Sequence, residues 1–230
     1  MNPASLRPIL PLVLSLNAGF VDTAGFLALQ GLFTAHVTGN FVTLGASLVL
    51  GTSGALAKLL ALPVFCAVVI AARLTGTALS NRGRRPFEIL IGVKILLLIA
   101  AALLAIQFGP FHDGDSGEAI LTGMILVAAM AIQNAVHRVH LASAPPSTLM
   151  TGTTTQIMLD LADAIYAPEN KSTQPSRLVP MGINIVIFAL GCAAAALLFA
   201  KFGVRCFVVP PIVAVLALII RLVAPPKPDS

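Results

Sequence analysis

Charged residues are scarce in this chain. Only 10% of its 230 residues are Asp, Glu, Lys or Arg, whereas soluble globular proteins average about a quarter. The sequence is 57% hydrophobic and has a mean hydropathy of +0.96. This balance excludes an ordinary soluble domain and predicts an integral membrane protein.

Strand-like alternation is also missing, and long apolar runs take its place. Residues 89–108 are interrupted only by Lys94, and residues 182–200 carry no charge. Each run has about the 20 residues that a helix needs to cross the hydrocarbon core. A β-barrel would need short strands of alternating hydrophobicity, so the sequence predicts an all-α membrane protein.

The sequence has few groups that catalyse reactions or bind metals. Its three cysteines, Cys66, Cys192 and Cys206, show no CxxC spacing and predict no disulfide framework. It contains no Gly-x-Ser-x-Gly, His-Glu-x-x-His or P-loop motif, and the pair His137 and His140 lacks a third metal ligand. No block of five like charges occurs. We therefore expect no enzyme, no metal or cofactor, and no nucleic-acid partner.

One short phrase occurs twice. It reads TAHVTGN at 34–40 and TLMTGT at 148–153, and each copy brings a Thr-Gly step into an apolar region. Such a step suits the break between two helices, and breaks at equivalent positions of two halves are typical of transporters. The windows that follow, 39–51 and 150–165, are short and polar, and they predict re-entrant half-helices packed inside protein. Six longer apolar windows fall at 8–30, 56–80, 87–108, 118–140, 178–200 and 204–223.

Other residues repeat in the same order. Asp22 aligns with Asn134 at an offset of 112, and Pro63 aligns with Pro180 at an offset of 117. Gly-x-Arg-x-Phe motifs at 83–87 and 203–207 align at 120. The offset grows as small loop insertions would make it. The sequence therefore predicts one membrane domain over 1–230, with a first repeat at 1–108 and a second at 118–224.

Basic residues distinguish two topologies, because they concentrate on the cytoplasmic side. Six spans place nine of them on the side of the N-terminus: Arg7, Arg82, Arg84, Arg85, Arg138, Lys171, Arg177, Arg221 and Lys227. Three, Lys58, Lys201 and Arg205, then lie on the other side. Eight spans would divide the basic residues six against six. The sequence thus predicts six transmembrane helices plus two re-entrant helices, with both termini cytoplasmic; three spans per half require two inverted repeats.

Charged side chains inside the predicted spans suggest function. Asp22 is costly in a bilayer unless it is paired, hydrated or protonated. It therefore either couples a proton or cation to transport or caps the amides of the broken segment. Arg73 and Lys94 lie near the cytoplasmic ends of their spans, and we expect them to snorkel. Either could instead neutralise an anionic substrate or pair with Asp22.

The two Thr-Gly steps would place two helix N-termini near the middle of the bilayer, approaching from opposite faces. Unsatisfied N–H groups and the helix dipole favour an anion or a carbonyl-bearing ligand there. Alternatively, the two breaks are a symmetric packing device. The predicted substrate-binding residues are Asp22, Thr38, Gly39, Asn40, Asn134, Thr151, Gly152 and Thr153.

Several motifs resemble one family. They are GFVDxxGF at 19–26, HVTGN at 36–40, QNA at 133–135 and TGT at 151–153. In these motifs the chain is similar to the YoaK-like family of bacterial membrane proteins, which is defined by a domain of unknown function. The resemblance covers nearly the whole chain. It implies an integral membrane protein with six spans in the bacterial inner membrane, and it leaves the substrate open.

Two functional hypotheses follow. The first is a small secondary transporter or channel for a small anionic or polar solute, with its site between the two half-helix N-termini. The second is a membrane scaffold or assembly partner that transports nothing and uses its polar residues only to hold helices together. The expected partners are the lipid bilayer and an unidentified small solute. The alanines at 193–196 offer a close-packing face for a homodimer, or equally for the internal core.

Overall fold

The structure is a computed structural model that describes residues 8–148, 150–166 and 175–224, with side chains from residue 178 onward in the last segment. Within these residues all regular structure is helical, as predicted. The helices are α1 (Ile9–Ala28), α2 (Asn40–Leu50), α3 (Ala55–Asn81), α4 (Pro86–Phe108), α5 (Gly117–His140), α6 (Met150–Tyr166), α7 (Pro175–Phe202) and α8 (Val209–Val223). Of the basic residues that set the predicted orientation, Arg7, Lys171, Lys227 and the side chain of Arg177 lie outside the described residues.

Five segments are long and apolar enough to cross a membrane: Ile9–Ala28, Ala55–Asn81, Pro86–Phe108, Gly117–His140 and Leu178–Val223. The last segment is 46 residues long and contains most of α7 and all of α8, which are separated by a 3-10 segment at Gly203–Val208. The sequence predicts one uninterrupted window at 204–223, whereas α8 begins only at Val209. Pro210 and Pro211 have no amide hydrogen, so they are favoured in the first turn of an α-helix, where that hydrogen would have no partner within the helix.

The short helices α2 and α6 lie where the two repeated phrases predict them. Residues 37–39 form one turn of 3-10 helix that leads directly into α2, so the first Thr-Gly step starts a helix. The second step, at 151–152, lies in the first turn of α6. Gly51, with φ of +65°, ends α2 in the left-handed conformation that glycine adopts without strain.

Helices α1 and α7 cross at their glycines. A Cβ at Gly19 would lie 2.2 Å from the carbonyl oxygen of Phe188, and a Cβ at Gly191 would lie 2.2 Å from the carbonyl oxygen of Leu16. The backbone of each helix therefore rests directly on the other. Small residues allow this close approach, which is a main source of helix association in membranes.

The ends of the helices meet in two groups. At the first, here named the acidic-loop end, the loop 109–116 contacts the end of α1 and the start of α3. Gln30 Nε2 donates a hydrogen bond to the Phe111 carbonyl oxygen at 2.9 Å. The Asp115 carboxylate accepts hydrogen bonds of 2.9 to 3.2 Å from the amides of residues 54–57. A Cβ at Gly54 would lie 3.5 Å from Gln30, so α1 ends where α3 begins.

The segment between α1 and α3 therefore leaves this end and returns to it. Its deepest hydrogen bonds to α1 are with the Val21 carbonyl oxygen and the Asp22 carboxylate, and Asp22 lies six residues before the end of α1. At a rise of 1.5 Å per residue, that is about 9 Å along the helix. The segment thus descends part of the way along α1, and α2 returns the chain to the acidic-loop end.

The second group, here named the cavity end, joins the start of α1, the end of α5, α7 near its start and the end of α8. Residues from all four places line one cavity, among them Leu10, His140, Ile183 and Ile220. The segment between α5 and α7, which contains α6, therefore also leaves one end of the bundle and returns to it.

Helix pairing is equivalent in the two halves of the chain. Helix α1 packs on α7 as α5 packs on α3, and α8 packs on α1 as α4 packs on α5. The short helices follow the same rule, because α2 packs on α3 and α6 packs on α7. Exchanging residues 1–108 with residues 118–224 therefore maps each of these contacts onto another.

The glycine crossing predicts a difference between two alanine substitutions in α7. In Gly191→Ala the new methyl group meets the Leu16 backbone, so the substitution should destabilise the protein by at least about 1–3 kcal/mol. In Gly182→Ala the new methyl group meets nothing within 4 Å, so stability should be unchanged or slightly higher. Thermal melting of the purified variants in detergent checks this. Equal melting temperatures for the two variants would contradict the direct backbone contact.

Candidate functional site

The Asp22 carboxylate binds the backbone between α1 and α2, which is here called the first break. Asp22 is 5% exposed in α1. Its Oδ1 accepts hydrogen bonds from the amides of Thr34 at 2.8 Å, Ala35 at 2.7 Å and His36 at 3.3 Å. Its Oδ2 lies 2.7 Å from His36 Nδ1. These contacts agree with the second alternative predicted for Asp22, in which its carboxylate caps the amides of the broken segment.

His36 is the accessible member of the pair. Its side chain is 33% exposed, whereas that of Asp22 is 7% exposed. The imidazole also meets the ring of Phe188 on α7 edge-on, with the ring centroids 5.4 Å apart. The pair thus connects the first break to the α1–α7 crossing, since Phe188 is also the residue that faces Gly19.

The other predicted residues of the first break differ in exposure. Asn40 is buried, and its side chain is bonded to the Phe33 backbone: Phe33 N donates to Asn40 Oδ1 at 2.8 Å, and Asn40 Nδ2 donates to Phe33 O at 2.8 Å. Thr38 is exposed and Gly39 is half-buried. The Asn40 side chain therefore stabilises the loop through these hydrogen bonds, and the Thr38 side chain is exposed at this break.

The second break lies between α5 and α6, and there an uncharged side chain takes the place of Asp22. Asn134 Oδ1 accepts a hydrogen bond from Thr148 Oγ1 at 2.6 Å. Asp22 and His36 are 14 residues apart, and so are Asn134 and Thr148. Thr151 and Gly152 are exposed at the start of α6, and Thr153 is buried. The alignment of Asp22 with Asn134 thus corresponds to an equivalent contact in each half.

The structure groups the predicted residues into two clusters. Thr38, Gly39 and Asn40 belong to the segment at the acidic-loop end, to which Asp22 on α1 is bonded. Thr151, Gly152 and Thr153 belong to the segment that returns to the cavity end, to which Asn134 on α5 is bonded. Neither of the two cavities described below is lined by any of the eight predicted residues. That the two clusters form one substrate site stays a prediction.

The environment of Lys94 differs from the one that the sequence predicts. The sequence leads us to expect a snorkelling side chain, but Lys94 is fully buried in α4 and this prediction is wrong. Its Nζ donates a hydrogen bond to Gln133 Oε1. Gln133 Nε2 in turn donates to Leu14 O at 3.0 Å and to Ser147 Oγ at 3.1 Å. The lysine interrupts an otherwise apolar run, and this was the one sequence signal that could have placed it inside the protein.

Two cavities lie side by side at the cavity end. The larger, of about 550 Å³, has mainly apolar walls with Asn184, Arg221 and His140 among its polar residues. The smaller, of about 210 Å³, is lined by Arg73 and also by His140. His140 therefore stands between them. The His140 ring meets the Phe87 ring edge-on, with the ring centroids 5.9 Å apart. The Arg221 guanidinium lies 4.3 Å from the centroid of the Phe87 ring.

The described residues contain no group of three or more His, Cys, Asp or Glu side chains that could hold a metal ion. His137 and His140 lie in the last turn of α5. His137 is buried, and its ring faces the backbone of Ala144 and Pro145.

These features define an integral membrane protein with several apolar helices and two internal interruptions. The chain belongs to the family described as protein of unknown function (DUF1275), whose pattern matches residues 10–220. It is 28% identical over 203 residues to the UPF0700 transmembrane protein YoaK of Bacillus subtilis (strain 168), a match that covers 86% of each chain. The resemblance stated from the motifs is thus confirmed. No solved structure gives a significant match.

The two breaks predict unequal responses to alanine. Asp22→Ala leaves the amides of Thr34 and Ala35 buried without their acceptor, at a cost of about 1–3 kcal/mol for each group. Asn134→Ala removes the acceptor of one hydroxyl and should cost about 0.5–1.5 kcal/mol. Thermal melting in detergent should therefore fall further for Asp22→Ala. A larger loss in Asn134→Ala would mean that the carboxylate does not organise its break.

Proposed function

We propose that this protein is a transporter or channel for a small solute in the bacterial inner membrane. In this proposal six helices span the membrane, α2 and α6 are re-entrant, and the two halves are inverted repeats. Both termini are cytoplasmic. The solute is a small anion or polar molecule, and the protein is not an enzyme.

Contacts at the two ends of the bundle support the six-span topology. Because the end of α1 meets the start of α3, a membrane-crossing α2 would need a further crossing to bring the chain back. The contact of Gly109 with Val204 adds the connection between α7 and α8 to the acidic-loop end. Six long helices then alternate in direction, as the nine-to-three division of basic residues requires.

The paired breaks are the observation that carries the proposal for transport. Interrupted backbone at membrane depth is tolerated where it is buried in protein or lines a water-filled path. Here each half contains one such interruption. In each, a polar side chain six residues before the end of a long helix bonds to a residue 14 positions later. Discontinuous helices at equivalent positions of two repeats surround the substrate sites of many secondary transporters.

The exposed groups at the two breaks are suited to a polar solute. Thr38 at the first break and Thr151 at the second carry exposed side chains next to helix N-termini. Each N-terminus adds a partial positive charge, which favours an anion. In this proposal Asp22 shapes the first break and Asn134 shapes the second, while Gly39, Asn40, Gly152 and Thr153 form the adjoining backbone.

Cysteine labelling tests the topology. In a variant with Cys66, Cys192 and Cys206 replaced by alanine, His112→Cys should react with a membrane-impermeant maleimide from the periplasmic side of intact cells. Asn81→Cys should react only after the membrane has been permeabilised. The six-span arrangement places residue 112 outside and residue 81 inside, whereas eight spans with a cytoplasmic N-terminus would reverse both. Labelling of Asn81→Cys in intact cells would therefore refute the proposed topology.

Uptake into liposomes tests the function. The purified protein should admit at least one small anion from a panel assayed with and without a pH gradient. Thr38→Val and Thr151→Val should each reduce that uptake by about three- to tenfold, as the loss of one hydrogen bond predicts. Thr75→Val, at an exposed position in α3, is the matched control and should leave uptake unchanged.

One result of this assay would contradict the proposal, and another would decide between the two predicted roles of Asp22. If no anion or polar solute enters and the protein instead co-purifies with one constant partner, the scaffold hypothesis replaces transport. If Asp22→Asn leaves uptake unaltered while Thr38→Val and Thr151→Val reduce it, the carboxylate has no part in the transport mechanism and acts only as a cap.

A further inference from the structure

The smaller cavity has an apolar floor and a polar rim. The floor includes the buried side chains of Ala72, Leu90 and Val136. The rim consists of exposed polar residues of α3: Arg73, Thr77, Ser80 and Asn81. The first three follow one another at steps of four and three residues, so they lie along one face of the helix. The cavity therefore presents a polar edge beside a hydrocarbon surface.

Arg73 is the charged residue of this rim, and its guanidinium lacks a protein partner. A guanidinium carries five N–H donors and stays protonated in proteins. Within the described part of the chain, none of these donors makes a hydrogen bond or an ion pair. The Glu88 carboxylate, in the first turn of α4, lies 3.4 Å from Arg221 Nε instead. An anion is therefore the group that would complete the rim.

The position of Arg73 in α3 is unusual for an unpaired charge. Arg73 lies eight residues before Asn81, the last residue of the helix. At 1.5 Å per residue this is about 12 Å along the axis. Charged residues inside membrane spans are costly and normally have a partner. The fold itself does not require the charge, because repeat offsets of 117 to 120 place Arg73 opposite residues 190–193, which are uncharged.

Further positive charge lies in the turn beside the cavity. Asn81 and Pro86 both belong to the cavity wall, and Arg82, Arg84 and Arg85 lie exposed in the turn between them. Helix α4 begins at Pro86 and has no side-chain cap, so its N-terminus adds a partial positive charge. Basic pockets between helices at the cytoplasmic side typically bind the phosphates of lipid head groups.

The rim of the cavity belongs to a helix that faces lipid. Helix α3 is the least buried of the five candidate spans, with 22% of its apolar window buried. On either side of Arg73 in the sequence, Ile70 and Leu74 are 61% and 66% exposed. A ligand at Arg73 can therefore extend along an apolar surface. This property suits a lipid better than an inorganic anion, which would leave the cavity floor without contacts.

We propose that the smaller cavity binds the phosphate group of an anionic phospholipid. The Arg73 guanidinium donates hydrogen bonds to the phosphate oxygens, and Ser80 and Asn81 supply further donors. The glycerol part of the lipid lies against the apolar floor, and an acyl chain follows α3 past Leu74 and Ile70. The proposal requires helices that span a membrane, and it holds whether or not the protein transports a solute.

Native mass spectrometry of the purified protein in a neutral detergent tests the proposal, because it resolves each bound lipid during a titration. The wild-type protein should bind one phosphatidylglycerol more tightly than those that follow. Arg73→Gln should weaken the binding of that first lipid by about fivefold, as the loss of one basic side chain near a lipid phosphate predicts. Phosphatidylcholine with the same acyl chains should bind more weakly, since its choline group adds a positive charge beside the arginines.

The matched control is Arg138→Gln. Arg138 is also an exposed arginine at the cavity end, but it lines neither cavity. This variant should bind phosphatidylglycerol as the wild type does. An equal loss in both variants would show a general effect of surface charge and would overturn the site. Unchanged affinity in Arg73→Gln would overturn it as well.

A second variant fills the cavity without altering its charge. A Cβ at Gly76 would lie 3.6 Å from Leu90 Cδ1 and 3.9 Å from Pro86 Cβ, which are ordinary contact distances. Gly76 also lines the cavity, so Gly76→Leu should occupy part of it and weaken the binding of the first phosphatidylglycerol. Thermal melting of the lipid-free variants checks that each is folded, and Gly76→Ala, with its smaller side chain, should bind this lipid more tightly than Gly76→Leu. Equal affinity in Gly76→Leu and the wild type would contradict a site inside the cavity.

Free phosphate distinguishes the two sources of this chemical group. Inorganic phosphate or glycerol phosphate, in excess over phosphatidylglycerol, should leave binding of the first lipid unchanged, because neither carries an acyl chain. Displacement of the lipid by either compound would assign the cavity to a soluble anion and overturn the lipid site. Since no uptake is measured, failure of this experiment would leave the proposed transport function as it stands.

Discussion

Backbone amides that leave a helix inside a membrane must find acceptors, and the rest of the structure depends on how this chain supplies them. Water is absent from the hydrocarbon core, so an interrupted helix is tolerated only where protein groups satisfy it. Asp22 provides one oxygen for three consecutive amides at the first break. The cost of burying that carboxylate is offset by the hydrogen bonds it accepts and by His36 beside it. The carboxylate of Asp22 thus supplies the acceptor that the backbone between α1 and α2 needs.

Close backbone contact gives these breaks a rigid frame. The crossing of α1 and α7 leaves no space for a methyl group at Gly19 or Gly191. Asp22 lies three residues after Gly19, and Phe188 contacts both Gly19 and the His36 ring. The same crossing therefore positions the carboxylate, the histidine and the start of the first break. Hydrophobic association cannot hold helices together in lipid as it does in water, and such packing contacts replace it.

The two halves share a frame but differ in charge. Asp22 and His36 occupy the first break where Asn134 and Thr148 occupy the second. Conversely, at the repeat offsets the polar residues Lys94, Gln133 and Ser147 align with the apolar residues Ala214, Val21 and Ala35. A carboxylate thus binds the first break, whereas the ammonium group of Lys94 binds Gln133, the residue before Asn134 on α5.

The sequence by itself determined the class of protein, the helices and the positions of the two short helices, because hydropathy and Thr-Gly steps are local signals. It also paired Asp22 with Asn134, since a repeat is visible in spacing alone. It missed the burial of Lys94 and the role of Asn40, and it offered capping only as one alternative for Asp22. Burial and hydrogen-bond partners depend on residues more than 100 positions away, such as Leu14 for Gln133 and Asn184 for Ser15. Only the tertiary structure decided these contacts, because the free energy of a buried polar group is set by what packs against it and not by its neighbours in sequence.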